Sequence, residues 1–110
     1  MNIAMDTLVC DFDELEQATP RVFRINSRMV ALVKLGDEVR AIDAFCPHWK
    51  GPLGSGKVSV ERREIICPWH LFRFSLDDGS CVAANDRPPV EVYPVSLDDG
   101  KVRVRVPEKP

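Results

Sequence analysis

Two short motifs, each pairing a cysteine with a histidine, lie in segment 46–70, which reads CPHWKGPLGSGKVSVERREIICPWH. The first is Cys46-Pro47-His48 and the second is Cys67-Pro68-Trp69-His70, with eighteen residues between His48 and Cys67. No other histidine occurs in the chain. Thiolate and imidazole are ligands that select iron–sulfur or zinc centres. Because both segments carry turn residues, the sequence predicts two facing loops that bind a metal.

The residues on either side of these loops follow the period-two alternation of β-strands. We expect strands at 7–9, 22–25, 29–35, 38–43, 58–60, 65–66, 72–76, 91–97 and 101–106, and one helical turn at 13–18. Ser-Leu-Asp-Asp-Gly occurs at both 75–79 and 96–100, as a hairpin turn used twice. Segment 61–64 is the expected tip of another hairpin. The predicted fold class is all-β, without a helix of ordinary length.

Length and charge limit the classes of protein that fit. A chain of 110 residues suits one domain and excludes a nucleotide-binding domain joined to a substrate domain. A net charge of −2 argues against nucleic-acid binding. Residues 1–20 nevertheless hold five acidic side chains and neither Lys nor Arg, so this segment is either a solvated surface or a docking surface for a basic partner. The five are Asp6, Asp11, Asp13, Glu14 and Glu16.

The sequence also indicates the cellular compartment in which the protein is expected. No apolar run approaches the roughly 20 residues that span a bilayer, and residues 1–9 lack the basic start of a secretory signal. We therefore expect a cytoplasmic protein with no membrane partner. In that compartment cysteines favour metal ligation or free thiols over disulfides. Cys10 and Cys81 lie outside the motifs and are expected to be small buried residues.

The pattern C-x-H, eighteen residues, C-x-x-H resembles the signature of Rieske proteins. The hairpin before the first loop, the Phe-x-Phe strand after the second and the closing valine-rich hairpin resemble stand-alone Rieske ferredoxins, over nearly the whole chain. The resemblance implies a Rieske-like antiparallel β-sandwich with a small cluster-binding subdomain of two loops. It implies a single domain over 1–110, with the loops at about 45–56 and 66–72.

The same resemblance implies one [2Fe–2S] cluster per chain. Cys46 and Cys67 would bind one iron, and His48 and His70 the other. Two neutral imidazoles in place of thiolates remove negative charge, which raises the reduction potential above that of an all-cysteine cluster. With no catalytic residue, the protein would be a monomeric electron carrier rather than an enzyme. Its transient partners would be a flavin-dependent reductase and a terminal oxygenase.

Several positions depart from the high-potential members of the family. Gly51 and Trp69 occupy the two positions at which those members carry the cysteines of a disulfide. Phe72 and Phe74 occupy the positions at which those members carry hydroxyl groups that donate hydrogen bonds to the cluster. Fewer donors leave the reduced state less stabilised, so we expect an oxygenase-type potential of about −150 mV. Leu71 replaces the usual glycine, so either Leu tolerates the backbone geometry there or the turn shifts.

The residues beside the predicted ligands suggest how a partner binds. Trp49, Trp69 and Phe72 flank the ligands and are expected to shield the cluster from water rather than to relay electrons. The partner is expected to dock at the histidine-bearing tip, over less than about 1,200 Å² in total. The predicted docking set is apolar with one charge: Trp49, Lys50, Pro52, Leu53, Trp69 and Leu71.

Other functions fit parts of the pattern. A structural zinc site usually groups Cys with Cys and His with His, whereas here the order is interleaved. A small subunit of an assimilatory nitrite reductase is a second alternative, and a cysteine nucleophile with a histidine base is a weaker one. Segment 51–57 resembles a phosphate-binding loop, but Val58 replaces the Ser or Thr that binds Mg²⁺. Its glycines are expected instead to let the first loop turn tightly.

Overall fold

Ten strands, every pair of them antiparallel, dominate the part of the chain described by the computed structural model, residues 4–47, 51–69, 71–82 and 88–107. They are β1 (Ala4–Asp11), β2 (Arg21–Ile25), β3 (Arg28–Leu35), β4 (Glu38–Asp43), β5 (Lys57–Ser59), β6 (Glu64–Ile66), β7 (Arg73–Ser75), β8 (Val92–Tyr93), β9 (Val95–Asp98) and β10 (Lys101–Pro107). Two single 3₁₀ turns cover Phe12–Glu14 and Leu53–Ser55. The all-β prediction is confirmed.

The strands form three sheets, ordered β1-β10-β9, β2-β3-β4-β8 and β5-β6-β7. The second sheet is the middle layer, because β3 is buried on both faces. Val30 and Leu32 pack with the valines of β10, whereas Ala31 and Val33 pack with Ile65 of β6 and other residues of the third sheet. Burial on both faces explains why β3 reads as a continuous apolar run rather than an alternating one. The third sheet carries the two predicted metal-binding loops.

Two predicted elements differ from the structure. The expected strand 91–97 is divided at Pro94 into β8 and β9, which belong to different sheets. Proline has no N–H for a ladder, while its carbonyl accepts the N–H of Arg105 at 2.9 Å. The expected helical turn at 13–18 is a 3₁₀ turn over Phe12–Glu14. No helix continues after it: the Gln17 side chain exchanges two 2.8 Å hydrogen bonds with the backbone of Gly36, and Ala18 has φ of 56°.

The hairpin tip between β5 and β6 also differs by one residue. The turn ends at Arg63, which has φ of 56°, and Glu64 begins β6 opposite Ser59. Glu64 is buried, and its carboxylate lies 3.8 Å from the Arg73 guanidinium. The prediction that Glu64 belongs to the hairpin tip is therefore wrong, because strand pairing extends one residue further than the apolar pattern indicated. Among the described residues, no helix is long and apolar enough to cross a membrane.

Candidate metal centre

Each metal-binding loop of the prediction starts where a strand of the core ends. β4 ends at Asp43 and leads to Cys46, and β6 ends at Ile66 and leads to Cys67. The N–H of Cys46 donates to the carbonyl of Gly51 at 2.8 Å, which closes the first loop on itself. The N–H of Cys67 donates to the carbonyl of Phe72 at 2.8 Å and closes the second. Both cysteines are thereby fixed at the bases of their loops.

The two loops meet beside Cys67, against which Gly51 of the first loop packs. Cys46 and Cys67 are fully buried in one apolar cluster that also contains Leu53, Ile65 and Phe74. All four cysteines of the chain lie in the described ranges, and none forms a disulfide. Two buried sulfur donors in facing loops suit a soft metal centre. Half of the predicted ligand set therefore fits an iron–sulfur cluster.

The other two predicted ligands, His48 and His70, lie outside the described residues, as do Trp49 and Lys50. Within the described ranges, no group of three or more His, Cys, Asp or Glu side chains is arranged to hold a metal ion. Two cysteines are not such a group on their own. The four-residue ligand set stays a prediction; the structure places its two cysteines in one buried cluster.

Glycine in the first loop serves close packing rather than a left-handed turn. The glycines with positive φ in the described chain are Gly36, Gly79 and Gly100, all outside this loop. A Cβ added to Gly51 would lie 3.1 Å from the sulfur of Cys67, and one added to Gly56 would lie 2.1 Å from the carbonyl oxygen of Ile66. Gly51 and Gly56 thus let the backbone approach the third sheet, and Gly54 lets it approach Val22 of β2. None of the three has the positive φ that would make glycine necessary for a tight turn.

The residue after the second predicted histidine keeps the conformation that favours glycine. Leu71 has φ of 60°, and its N–H donates to the carbonyl of Cys67 at 2.9 Å. The turn has therefore not shifted to accommodate the side chain. That side chain is 73% exposed, so its bulk meets no steric obstacle from the core, although the backbone conformation is strained.

Phe74 lies in β7 and Phe72 immediately precedes that strand. Both side chains lie on the side of the sheet that packs with the two cysteines. Phe74 is fully buried in the same cluster as Cys46 and Cys67, and Phe72 is half-buried against that cluster. Their alternation with exposed or half-exposed neighbours is that of a strand with one buried face. The two positions thus lie in the layer that surrounds the predicted cluster, where a hydroxyl would change its polarity.

Four members of the predicted docking set lie in the described ranges, and one of these, Leu53, differs from the prediction. Leu53 is fully buried in the core beneath the first loop, so its assignment to the surface was wrong. Its 3₁₀ turn directs the side chain inward, which the loop composition did not reveal. Trp69 is 61% exposed, as predicted. Phe45, which sequence reasoning missed, is 43% exposed; its position immediately before Cys46 was the available signal.

An open groove of about 680 Å³ borders the first loop. Its lining residues are Ser27, Arg28, Met29, Asp43, Phe45, Cys46 and Pro47. Arg28 donates a hydrogen bond to the Tyr93 hydroxyl at 3.2 Å, and burial raises the pKa of Asp43 above its usual value. The groove has a charged side and an apolar side at Phe45, but its groups are not arranged as a nucleophile with a base.

Cys10 and Cys81 behave as predicted. Both are buried, Cys10 in the core between the first two sheets and Cys81 in the core beneath the loops. Burial is the first cause of the raised pKa of the Cys10 thiol, which keeps it protonated and unreactive.

Comparison with known proteins agrees with this geometry. The family model of the Rieske [2Fe-2S] domain matches residues 6–94. The anthranilate 1,2-dioxygenase ferredoxin subunit of Burkholderia cepacia is 31% identical over 94 residues, which cover 86% of this chain and 85% of the relative. The match identifies the cofactor of this chain as a [2Fe–2S] cluster and contradicts the zinc and nucleophile alternatives.

Solved structures give the same result. The ferredoxin of carbazole 1,9a-dioxygenase from Nocardioides aromaticivorans superposes with a TM-score of 0.86 at 32% identity, covering 91% of this chain and 96% of that one. A structure assigned as an NADH-dependent nitrite reductase small subunit from Mycobacterium tuberculosis also has a TM-score of 0.86, at 28% identity, covering 94% and 96%. Fold, paired cysteine loops and sequence likeness agree that this chain belongs to the Rieske [2Fe–2S] family.

Proposed function

We propose that the protein carries single electrons from a flavin-dependent reductase to a terminal oxygenase, on a cluster bound by Cys46, His48, Cys67 and His70. The burial of both cysteines in facing loops is the observation that supports this ligand set most directly. The named functions of the ferredoxin relatives support the oxygenase system. We further propose that residues 1–110 form one domain that acts as a monomer in the cytoplasm.

The chain has three tasks in this function. When bound, the cluster supplies a site that accepts and releases one electron. Cys46 and Cys67 hold it from the buried side, where no partner reaches their sulfurs. In the proposed ligand set, His48 and His70 contribute neutral donors, which keep the total charge less negative than four thiolates would. The imidazole side then provides the short route along which an electron enters and leaves.

The docking surface we propose combines exposed apolar side chains from both loops. Phe45 takes the place of the buried Leu53 in the predicted set, beside Trp69 and Leu71. Exposed large apolar groups that lie close together mark interaction sites more often than scattered ones do. A small apolar surface suits a partner that must bind and leave quickly.

Metal analysis tests the cofactor and the ligands together. We expect two irons and two acid-labile sulfides per chain, and a rhombic electron paramagnetic resonance signal after reduction. Cys46→Ser and Cys67→Ser should each abolish iron binding. Cys81→Ser is the matched control, because Cys81 is buried in the same core but lies outside the motifs. Full iron content in either ligand variant would remove that residue from the set, and zinc without labile sulfide would refute the proposal.

Electron transfer to partners tests the second half of the proposal. A Rieske-oxygenase reductase with NADH should reduce the protein, and a terminal oxygenase should reoxidise it. Phe45→Ala and Leu71→Ala should slow both steps without changing the visible spectrum, whereas Leu8→Ala, which removes an exposed apolar side chain from β1, should not. Normal transfer by both loop variants would contradict docking at this surface.

A second candidate function is the small subunit of a nitrite reductase, which the likeness to the Mycobacterium tuberculosis structure favours. In that case the protein would be a permanent component of a larger enzyme. Purification of the tagged chain from its native cell discriminates between the two. A large subunit that stays bound in equal amount supports the second candidate, and a protein that purifies alone supports the carrier.

A further inference from the structure

The first loop packs directly against the second at Gly51. Its φ is not positive, so the conformational freedom of glycine is not needed there. Space is needed: an added Cβ would lie 3.1 Å from the sulfur of Cys67 and 3.3 Å from Cε3 of Trp69. The carbonyl of Gly51 also accepts two N–H groups of its own loop, from Cys46 and Leu53, each at 2.8 Å. The first loop is thus held rigidly against one cysteine sulfur and one indole ring.

The indole of Trp69 lies on the outer side of this contact. Trp69 is 61% exposed, whereas Cys67, two residues earlier in the same loop, is completely buried. Two atoms of the six-membered ring, Cε3 and Cδ2, lie within 3.4 Å of the position that a Gly51 Cβ would occupy. The ring therefore lies where the loops meet, between the Cys67 side and solvent.

We infer that the Trp69 indole, which packs against Gly51, closes the gap between the two loops and keeps water from the sulfur of Cys67. By excluding water from this sulfur, Trp69 lowers the reduction potential of the cluster. This inference rests on the proposed role of Cys67 as an iron ligand. Trp69 acts through that sulfur and is a positioning residue, not a ligand.

The direction of the effect follows from charge. Reduction adds one negative charge, and part of that charge resides on the sulfurs. Hydrogen bonds from water to a ligand sulfur stabilise the reduced state and raise the potential, as other donors to the sulfurs do. A dry sulfur at Cys67 therefore keeps the potential low. The absence of hydroxyls at Phe72 and Phe74 acts in the same direction.

The test compares Trp69→Ala with Trp69→Phe in the isolated, cluster-loaded protein. Alanine opens the gap, so we expect a positive shift in midpoint potential and new exchangeable deuterons near the cluster, detected by pulsed electron paramagnetic resonance of the reduced protein in D₂O. Phenylalanine keeps a ring over Gly51 and should restore both readouts toward wild type. Leu71→Ala is the control, because it removes a more exposed apolar side chain from the same loop.

Gly51→Ala tests the contact from the other loop. The new methyl group must displace the Cys67 sulfur or the indole, so we expect a changed circular dichroism spectrum of the cluster. Gly54→Ala is its control, since a Cβ there would meet Val22 at 2.5 Å and no cysteine. It should leave the cluster spectrum unchanged.

Two outcomes would overturn the inference. One is a Trp69→Ala protein with wild-type potential and no added deuterons. The other is a Leu71→Ala protein whose potential shifts as much as that of Trp69→Ala. Both are distinct from failure of the proposed function, which would appear as a wild-type protein without iron or as a Cys67→Ser variant that keeps its cluster.

Discussion

At the scale of single residues, Leu71 combines a strained backbone with an exposed side chain. A left-handed conformation costs an L-residue roughly 1–2 kcal/mol. The Leu71 side chain is 73% exposed, so burial of its apolar surface offsets little of this cost. We expect Leu71→Gly to stabilise the protein by about 0.5 kcal/mol, since the greater freedom of glycine in the unfolded chain offsets part of the relief. Denaturant unfolding measures the difference.

Two further substitutions separate strain from side-chain contacts at this position. Leu71→Ala keeps the strain and should be nearly neutral in stability, whereas Leu71→Val should destabilise, because a β-branched residue fits positive φ worst. A glycine variant that is less stable than the alanine variant would contradict the strain argument.

Phe74 offers a test of how hydroxyls tune this centre. The Phe74→Tyr variant places a hydroxyl in the core that contains Cys46 and Cys67. If it donates to a sulfur, the potential should rise in a redox titration, with little loss of stability. An unchanged potential with a loss of about 1–3 kcal/mol, the cost of a buried hydroxyl left without a partner, would show that the position lies out of reach.

At the scale of elements, four charged side chains connect the third sheet to the middle sheet. Asp77, in the turn after β7, accepts hydrogen bonds from Arg63 at 2.9 Å and from Arg40 of β4 at 3.1 Å. Arg63 also contacts Glu38 at 3.1 Å. The network bridges the β3–β4 hairpin and the hairpins that carry the second loop, so it fixes the orientation of the loop-bearing sheet.

The network predicts a pH-dependent contribution to stability. Hydrogen bonds from Arg63, reinforced by Arg40, hold the pKa of Asp77 below its usual value of 3.8. The stabilisation is therefore complete above about pH 5 and is lost progressively as the pH falls through 3.8 and then through the lowered pKa. We expect Asp77→Asn to cost up to about 1 kcal/mol at pH 7, since the carboxylate is half-exposed, and to cost less at pH 3.5.

The repeated turn sequence supplies a matched control for that experiment. Asp98 occupies in 96–100 the place that Asp77 occupies in 75–79, and it is exposed at the end of β9. Asp98→Asn should leave the unfolding free energy unchanged at both pH values. Equal losses in both variants would mean that turn chemistry, not the ion pairs, accounts for the effect.

At the scale of the whole molecule, segment 11–16 of the acidic region and the two loops lie at opposite ends of the β3–β4 hairpin. The turn at Phe12–Glu14 is held there by Lys34, whose ammonium donates to the carbonyls of Phe12 and Leu15 at 3.2 Å. Cys46 follows the other end of β4, roughly 20 Å away at about 3.3 Å per residue. Segment 11–16 is therefore not part of the proposed docking surface, whereas Asp6 lies at the other end of β1, toward the β2–β3 turn.

This separation predicts that the acidic side chains of segment 11–16 affect association only at low salt. The Asp11 carboxylate forms an ion pair with the Lys101 ammonium at 2.6 Å, and the Glu14 carboxylate accepts a hydrogen bond from the N–H of Asp11 at 2.7 Å. Both acidic side chains therefore have structural roles. Asp13 and Glu16 are exposed and are better sites for the test. Asp13→Lys with Glu16→Lys should slow reduction by the reductase at 10 mM salt by a few-fold, with no difference at about 150 mM, where screening acts over about 8 Å. A persistent difference at the higher salt would indicate direct contact.

The sequence by itself determined the family, the all-β class and the cysteine-bearing loops. These features depend on local chemistry: paired soft ligands, period-two alternation and turn residues. The order of Cys and His within each motif was sufficient to favour a Rieske cluster over a zinc site. The retained turn at Leu71 was one of two outcomes that the sequence left open.

Only the tertiary structure decided what faces solvent and what packs between sheets. Phe45 and Leu53 are both large apolar residues of the first loop, yet the Phe45 side chain is exposed and the Leu53 side chain is buried. The need for glycine at Gly51, the burial of Glu64 and the switch of sheets at Pro94 likewise depend on contacts with residues distant in the chain. A side chain's neighbours across three sheets follow from how the layers pack, and local periodicity carries no information about that packing.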